Sequence, residues 1–403
     1  MNWTSDEKQQ LPVNTLKQEL LQELKRILVY WTTETVDERN GGFIGRISAH
    51  NVKDPYAVKG SVLNTRILWT FSAAYNLLKT DQYLTLANRA WDYLYAHFAD
   101  KVHGGLYWTV DYTGKAVDGK KQVYAIAFGV YACSEYFKAS RNETAKQTAI
   151  AWYHAIRQYA YDKIYGGYIE ACTQDWQPLS DLRLSLKDAN ERKSMNTHLH
   201  VLEAWTTLYE IWPDEQLKAD ILELLMLFDK QIIHPTTHHL QLFFTDNWTV
   251  KSTLISYGHD IEAAWLLLEA AIAVGDEQEL SRFRVRAINL VRAALKGMDK
   301  DGGLWYEYDT AEQHLIAEKH WWPQAEALVG LVNAWELSGD PYYLDKAMAS
   351  WQFIQQFLLD KTDGEWHWGV GLDGKPIEEV KVGLWKCPYH NARACMEVVK
   401  RLK

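Results

Sequence analysis

A short glycine–aromatic element recurs six times along the 403 residues, and this periodicity restricts the fold more than any other feature of the chain. It reads Gly41-Gly42-Phe43-Ile44-Gly45, Gly104-Gly105-Leu106-Tyr107-Trp108 and Gly166-Gly167-Tyr168-Ile169-Glu170. A degenerate copy, His238-His239-Leu240-Gln241-Leu242-Phe243, precedes Gly302-Gly303-Leu304-Trp305-Tyr306 and Asp363-Gly364-Glu365-Trp366-His367-Trp368. The copies start 63, 62, 72, 64 and 61 residues apart. Several run on into turns such as Asp111-Tyr112-Thr113-Gly114, so each reads as a short hairpin.

Pairs of helical patterns fill the intervals, near 60–78 and 82–98, 121–138 and 142–162, 192–211 and 214–233, 256–274 and 277–298, and 319–338 and 341–359. A lone helix at about 14–35 and another at about 389–402 complete one another's pair, which suits a closed ring better than an open solenoid with polar caps. The first helix of each pair is apolar nearly all round, as in Ala263-Ala264-Trp265-Leu266-Leu267-Leu268, and the second is amphipathic. The expected fold is all-α: one (α/α)6 barrel over residues 1–403, six inner and six outer helices, with short β-hairpins between helix pairs.

All inner helices of such a ring run the same way, so their N-termini surround one mouth. Polar residues gather there in phase with the repeat: Asn64 and Arg66, Tyr124, then Asn196, His198 and His200, then His259, Asp260 and Glu262. His320, Trp322 and Glu326 follow, and Trp385, Tyr389, His390, Asn391 and Arg393 close the series. Buried polar groups are costly unless partnered, so a shared polar funnel accounts for them economically. Its histidines suit proton transfer near neutrality better than metal binding. No HExxH occurs, and His198 and His200, two apart, point to different sides of a helix. Glu262, one turn from His259, is placed to orient that imidazole. No metal and no cofactor is expected, because no glycine-rich dinucleotide fingerprint follows a strand.

Bulk properties narrow the class. The net charge of −9 gives no basic footprint for nucleic acid and argues against anionic membranes. The start, Met1 to Lys8, lacks the apolar run of a secretory leader. Cys133, Cys172, Cys387 and Cys395 form no CxxC pair, and reduced thiols in the cytoplasm are expected. Nineteen Trp and 23 Tyr offer many faces on which sugar rings stack.

The strings Asn196-Thr197-His198-Leu199-His200-Val201-Leu202-Glu203-Ala204, Gly258-His259-Asp260-Ile261-Glu262-Ala263, His320-Trp321-Trp322-Pro323-Gln324-Ala325-Glu326 and Trp385-Lys386-Cys387-Pro388-Tyr389-His390-Asn391 resemble the motifs of the N-acylglucosamine 2-epimerase superfamily, and among its branches that of the cellobiose 2-epimerases. The resemblance runs from about residue 20 to the C-terminus. It implies an (α/α)6 barrel and epimerisation at C2 of the reducing-end glucose of a β-1,4-linked disaccharide, cellobiose giving glucosyl-mannose and lactose epilactose.

It further implies proton abstraction and return through a cis-enediolate, without a redox cofactor. His259 and His390 are then the acid–base pair, and Arg66 stabilises the enediolate oxygen with His200 assisting. Tyr124, Asn196, Asp188 and Glu262 bind the sugar, and Trp322 and Trp385 stack on its rings. Asp188 lies in the segment that makes the third interval the longest. The expected partner is a small disaccharide, with the protein a monomer or weak homodimer.

Three alternatives stay open on the residues. The mannose isomerase and sulfoquinovose isomerase branches share the barrel and much of the histidine set, which allows aldose–ketose isomerisation. An inverting glycoside hydrolase would need two carboxylates about 6.5–9.5 Å apart, drawn from Asp188, Glu262 and Glu326. A non-catalytic sugar-binding module would have no need of paired histidines.

Overall fold

In the computed structural model, residues 5–402 are described; Met1–Thr4, where the reading of the chain's start begins, and Lys403 lie outside them. Twelve α-helices are present among the described residues. Six form an inner ring: α2 (Ser61–Leu78), α4 (Val123–Ser140), α6 (Met195–Ile211), α8 (Tyr257–Val274), α10 (Trp321–Ser338) and α12 (Tyr389–Arg401). Each packs on the next, and α12 packs on α2 to close the circle. The outer six are α1 (Ser5–Thr33), α3 (Asp81–Tyr93), α5 (Glu143–Tyr159), α7 (Glu215–Leu227), α9 (Glu277–Ala294) and α11 (Pro341–Phe353). The expected partnership of first and last helix holds, with α1 lying against α12.

Sequence pattern sets this division. In α2 every residue from Ser61 to Ala74 is buried, so no face is left for solvent. In α3 the buried set Tyr83, Leu86, Ala87, Ala90 and Trp91 is a single stripe at helical spacing, and the other face is wet. Three outer helices end in a widened π turn, at Leu94–Phe98, Phe228–Ile232 and Ile354–Leu358. No helix among the described residues is long and apolar enough to cross a membrane.

The glycine–aromatic elements do more than fold into local hairpins. Thr109–Val110 pairs with Ala116–Asp118 as expected, but its other edge pairs with Lys59–Gly60, the two residues that lead into α2. The same stitch joins Lys121–Gln122 to Ala171–Cys172, Lys193–Ser194 to Phe243–Phe244, and Lys319–His320 to Gly369–Val370. Ile47 bridges Val382 to complete the round. Each repeat is therefore tied to its neighbour by backbone hydrogen bonds at the entry to an inner helix.

A buried ion pair marks the same junction. Lys59, Lys121, Lys193, Lys319 and Lys381 reach Asp37, Asp100, Asp162, Asp299 and Asp360 at 2.7–2.8 Å. In Asp100 one carboxylate oxygen accepts the backbone N–H groups of Val102 and His103, and the other takes Lys121. Burial alone would raise that carboxyl, but Lys121 and the two N–H donors hold it at about 2. The degenerate fourth copy has His234 and Ile255 at these places.

The structure corrects four members of the proposed funnel: Asn391 donates to Glu365 in the last glycine–aromatic element, and the other three share one helical position. Asn64, His198 and Asp260 are the fourth residues of their inner helices, and they turn away from the mouth toward the repeat junctions. Asn64 donates to the Gly60 carbonyl. His198 donates from Nδ1 to the Ser194 carbonyl and accepts the Tyr168 N–H at 2.9 Å through Nε2. Asp260 accepts the Leu240 N–H and holds His239. Helical geometry is the reason: residues two and six share a face, and residue four lies well round from it.

Gly167 sits at φ +77° with its absent Cβ position 2.5 Å from His198 Nε2. Gly167→Ala should lower unfolding free energy by about 1–2 kcal/mol from backbone strain alone, more with the displaced His198. Urea unfolding followed by circular dichroism measures it.

Candidate active site

Residues two, three and six of the inner helices do face the axis. From α2 comes Arg66, from α4 Tyr124 and Phe128, from α6 Asn196 and His200, from α8 His259 and Glu262, and from α10 Trp322 and Glu326. The shorter α12 adds Tyr389, His390 and Arg393.

One wall is built round Arg66. Its guanidinium donates to the Tyr124 hydroxyl at 2.7 Å and lies over the Phe128 and Tyr389 rings at 4.3 and 4.7 Å. Tyr124 meets His200 edge-on at 5.0 Å and Trp385 at 6.1 Å, and Trp385 leans on Trp108. Asn196 stands at the start of α6 with its side-chain oxygen unpartnered.

The facing wall carries His259 and His390, while His320, at the N-cap of α10, bonds Glu318. The His259 and His390 rings lie 4.6 and 5.7 Å from the Trp322 ring. His259 Nδ1 bonds Ser256 Oγ at 2.8 Å, which leaves Nε2 as the free nitrogen. The expected link from Glu262 to His259 is absent: Glu262 reaches Arg393 at 2.6 Å instead, and lies 3.9 Å from His390. His390 Nδ1 bonds Glu326 at 2.7 Å, so here too Nε2 is the free nitrogen. Helix phase explains the exchange of partners. Glu262 projects to the axis three residues beyond His259, and there it meets the charge carried by α12.

Arg393 joins the inner helices beneath both walls. It contacts Glu203 and the Tyr389 hydroxyl through one nitrogen, and through another Glu262 and Glu326 at 2.6 and 2.7 Å. Glu203 also holds His200 Nδ1 at 2.8 Å, and Trp265 donates to Glu326. Glu262, Glu326 and His390 come close enough together to hold a cation, and the Arg393 guanidinium already bonds both carboxylates.

Charge balance sets protonation. Three buried carboxylates face one guanidinium. Burial works against the Glu203 carboxylate, but Arg393 and the His200 hydrogen bond hold it at about 2. Burial and the neighbouring Glu326 push Glu262 well above the carboxylate range, and burial also raises Glu326 despite Arg393. Burial and like charge thus both favour a proton on the Glu262–Glu326 pair. Burial, helped by the charge of His200, pulls His259 down to about 3. Burial, with Arg66 and Arg393, keeps His390 well below its ordinary value. Both imidazoles are neutral in the ligand-free protein.

Asp188 lies at the rim, where its carboxylate caps its own loop through the Ser185 N–H. It shares no hydrogen bond with the other candidates, although its charge is felt at Tyr306 and at Glu307, whose carboxyl burial pushes up to about 7. The structure thus brings nine of the ten expected residues round one cleft and leaves Asp188 above it. The reading of the chain gave no role to Glu203, set Arg393 only among the polar residues of the mouth, and gave Glu326 a role only in the hydrolase alternative. The i,i+3 spacing of His200 and Glu203 was the one local signal for Glu203.

The profile of the family described as N-acylglucosamine 2-epimerase (GlcNAc 2-epimerase) matches residues 42–394. The cellobiose 2-epimerase of Bacteroides fragilis is 45% identical over 386 residues, covering 95% of this chain and 98% of that one. That of Dictyoglomus turgidum is 36% identical, covering 97% of this chain and all of the relative. The solved cellobiose 2-epimerase of Bacillus thermoamylovorans superposes with a TM-score of 0.92 at 38% identity, over 96% of this chain and 100% of that one.

Proposed function

The chain belongs to the N-acylglucosamine 2-epimerase family, and from that premise we propose that it is a cellobiose 2-epimerase, interconverting the reducing-end glucose and mannose of β-1,4-linked disaccharides. The observation that carries the chemistry is the pair of neutral imidazoles, His259 and His390, each with Nδ1 tethered and both beside Trp322.

The opened sugar presents an aldehyde, which acidifies the C2 proton. His259 Nε2 removes that proton, and the electron pair moves into the C1–C2 bond to give the cis-enediolate. Inversion needs a proton on the opposite face of C2. His390 supplies it from Nε2 while taking one at Nδ1 from protonated Glu326, so the imidazole stays neutral and the proton held on the carboxylate pair is used. This leaves His259 protonated and Glu326 ionised; His259 then releases its proton to solvent and Glu326 regains one, and conversion of the mannose epimer runs the same steps in reverse from the exchanged protonation states. Arg66, its charge fixed among aromatic faces, stabilises the enediolate oxygen with Tyr124, and His200 assists ring opening. Asn196 and Tyr124 hold hydroxyls, Glu262 braces Arg393 beneath the sugar, Trp322 and Trp385 stack on the two rings, and Asp188 closes from the rim.

In this reading the whole ring acts as one catalytic domain, working as a monomer or weak homodimer in the cytoplasm. Four buried, unpaired cysteines suit that reducing compartment.

The test is proton NMR of cellobiose with the pure protein in D₂O. A mannose-type reducing end carrying deuterium at C2 is expected; a ketose product, or released glucose, would replace this assignment. Arg66→Gln should lower kcat by about 10²–10³-fold, the usual effect of losing an oxyanion donor, in the same assay. Because burial holds both histidines below their ordinary value, protonation that disables the free enzyme should begin only below pH 6.5. A kcat/KM profile flat through pH 6.5, falling only at more acidic pH, is expected; a limb centred at 6.5 would contradict neutral, buried bases.

A further inference from the structure

We infer that the end of the ring opposite the catalytic mouth holds a second binding site, for a neutral, hydroxylated small molecule of sugar size. A cavity of about 540 Å³ opens there, between the later turns of the inner helices. That space suits one or two hexose rings. Its aromatic wall is Trp69 of α2 and Tyr131 of α4, stacked with ring centres 5.2 Å apart.

Two observations point to a ligand. The Trp69 indole N–H, in a side chain only 4% exposed, has no acceptor. The Tyr131 hydroxyl, in a residue 7% exposed, makes no hydrogen bond among the described residues. Tyr131 lines the cavity together with Glu135, Glu203 and Glu397. Buried N–H and O–H groups are rarely left unmatched.

The charges select the class of ligand. Glu135 holds Lys138 at 3.1 Å, Glu397 holds Lys400 at 2.9 Å, and Glu269 holds Arg401 at 2.7 Å. Glu203 holds Arg393. Glu210, which also lines the cavity, shares Lys138 with Glu135, so an amine or metal ion would have to displace a cation already in place, and an anion meets a wall of carboxylates. A neutral polyol offers acceptors to the indole, donors to carboxylate edges and an apolar face to the stacked rings. Glu203 belongs to this wall and to His200, so occupancy here bears on the catalytic mouth through one side chain.

The inference stands apart from the epimerase reading, and the test keeps them separate. The protein labelled with ¹⁵N-tryptophan is titrated with D-glucose, and the Trp69 indole signal is assigned by its loss in Trp69→Phe. A saturable shift of that signal is expected, with a midpoint different from that of Trp322. It should persist in Trp385→Ala, where binding at the front is impaired. Tyr131→Phe should raise the midpoint by about two- to tenfold, the effect of one lost hydrogen bond, and leave epimerisation intact. A Trp69 signal that stays fixed in concentrated glucose, or that follows the Trp322 curve and disappears with Trp385→Ala, overturns the second site. Either result leaves the catalytic assignment where the cellobiose assay puts it.

Discussion

Replacing His390 with alanine should lower kcat for C2 epimerisation by about 10²–10⁴-fold, the range for a positioned general acid or base. The same loss is expected for His259→Ala. The two variants should differ in what they retain. With glucose at the reducing end, His390→Ala keeps the base and loses the group that protonates the opposite face. It should still exchange the C2 proton for deuterium slowly, without forming mannose. His259→Ala should show the mirror behaviour, exchanging the mannose epimer and not the glucose epimer. NMR in D₂O reads inversion and exchange in one spectrum. Equal exchange of both epimers by either variant would remove the two-histidine assignment. Glu326→Gln separates positioning from chemistry: it preserves the hydrogen bond to His390 Nδ1 but holds no transferable proton, so it should lower kcat with little change in KM.

Arg393→Leu should cost about 3–5 kcal/mol of stability, the effect of breaking a buried ion network by removing one sign of charge. Glu203, Glu262 and Glu326 would be left facing one another in the interior, with His200 and His390 losing the carboxylates that hold them. The sign with pH follows from Glu203. Its carboxyl is held at about 2 in the folded protein, below its unfolded value, so it contributes stability above the unfolded carboxylate range and loses it as pH falls toward 2. In Arg393→Leu that contribution is gone, and the variant's deficit should be largest at neutral pH and shrink in acid. Denaturant midpoints at pH 7 and pH 4 measure this, and a deficit that does not change with pH would mean that lost packing against Trp265 and Tyr389 dominates. Adding Glu203→Gln to Arg393→Leu should recover part of the loss.

The ring itself was legible in the chain. A repeat of about 63 residues, apolar first helices and striped second helices follow from local pattern, because burial on one face or on all faces is written in hydrophobic spacing. Helix starts fell within a few residues of their observed places except in α1, where the pattern began at 14 and the helix at Ser5. The Lys–Asp pairs at the repeat junctions were as periodic as the glycines. They went unread because a lysine and an aspartate 20 to 31 residues apart carry no local signature.

The mouth was legible in part. Arg66, Tyr124, Asn196, His200, His259, Glu262, Trp322, Trp385 and His390 were named from sequence and do converge. Their partners were not, and Glu262 was given to the wrong histidine. Sequence determined which residues lie near inner-helix N-termini, since that depends only on repeat phase. Tertiary structure alone decided that Asn64, His198 and Asp260 turn outward, that Glu326 holds His390, and that Arg393 gathers three carboxylates from three other helices. Those contacts depend on the angle at which each helix enters the ring and on a charge arriving from residues more than 60 positions away, and a hydrogen bond is made or lost within less than an ångström, finer than any spacing in the chain can specify.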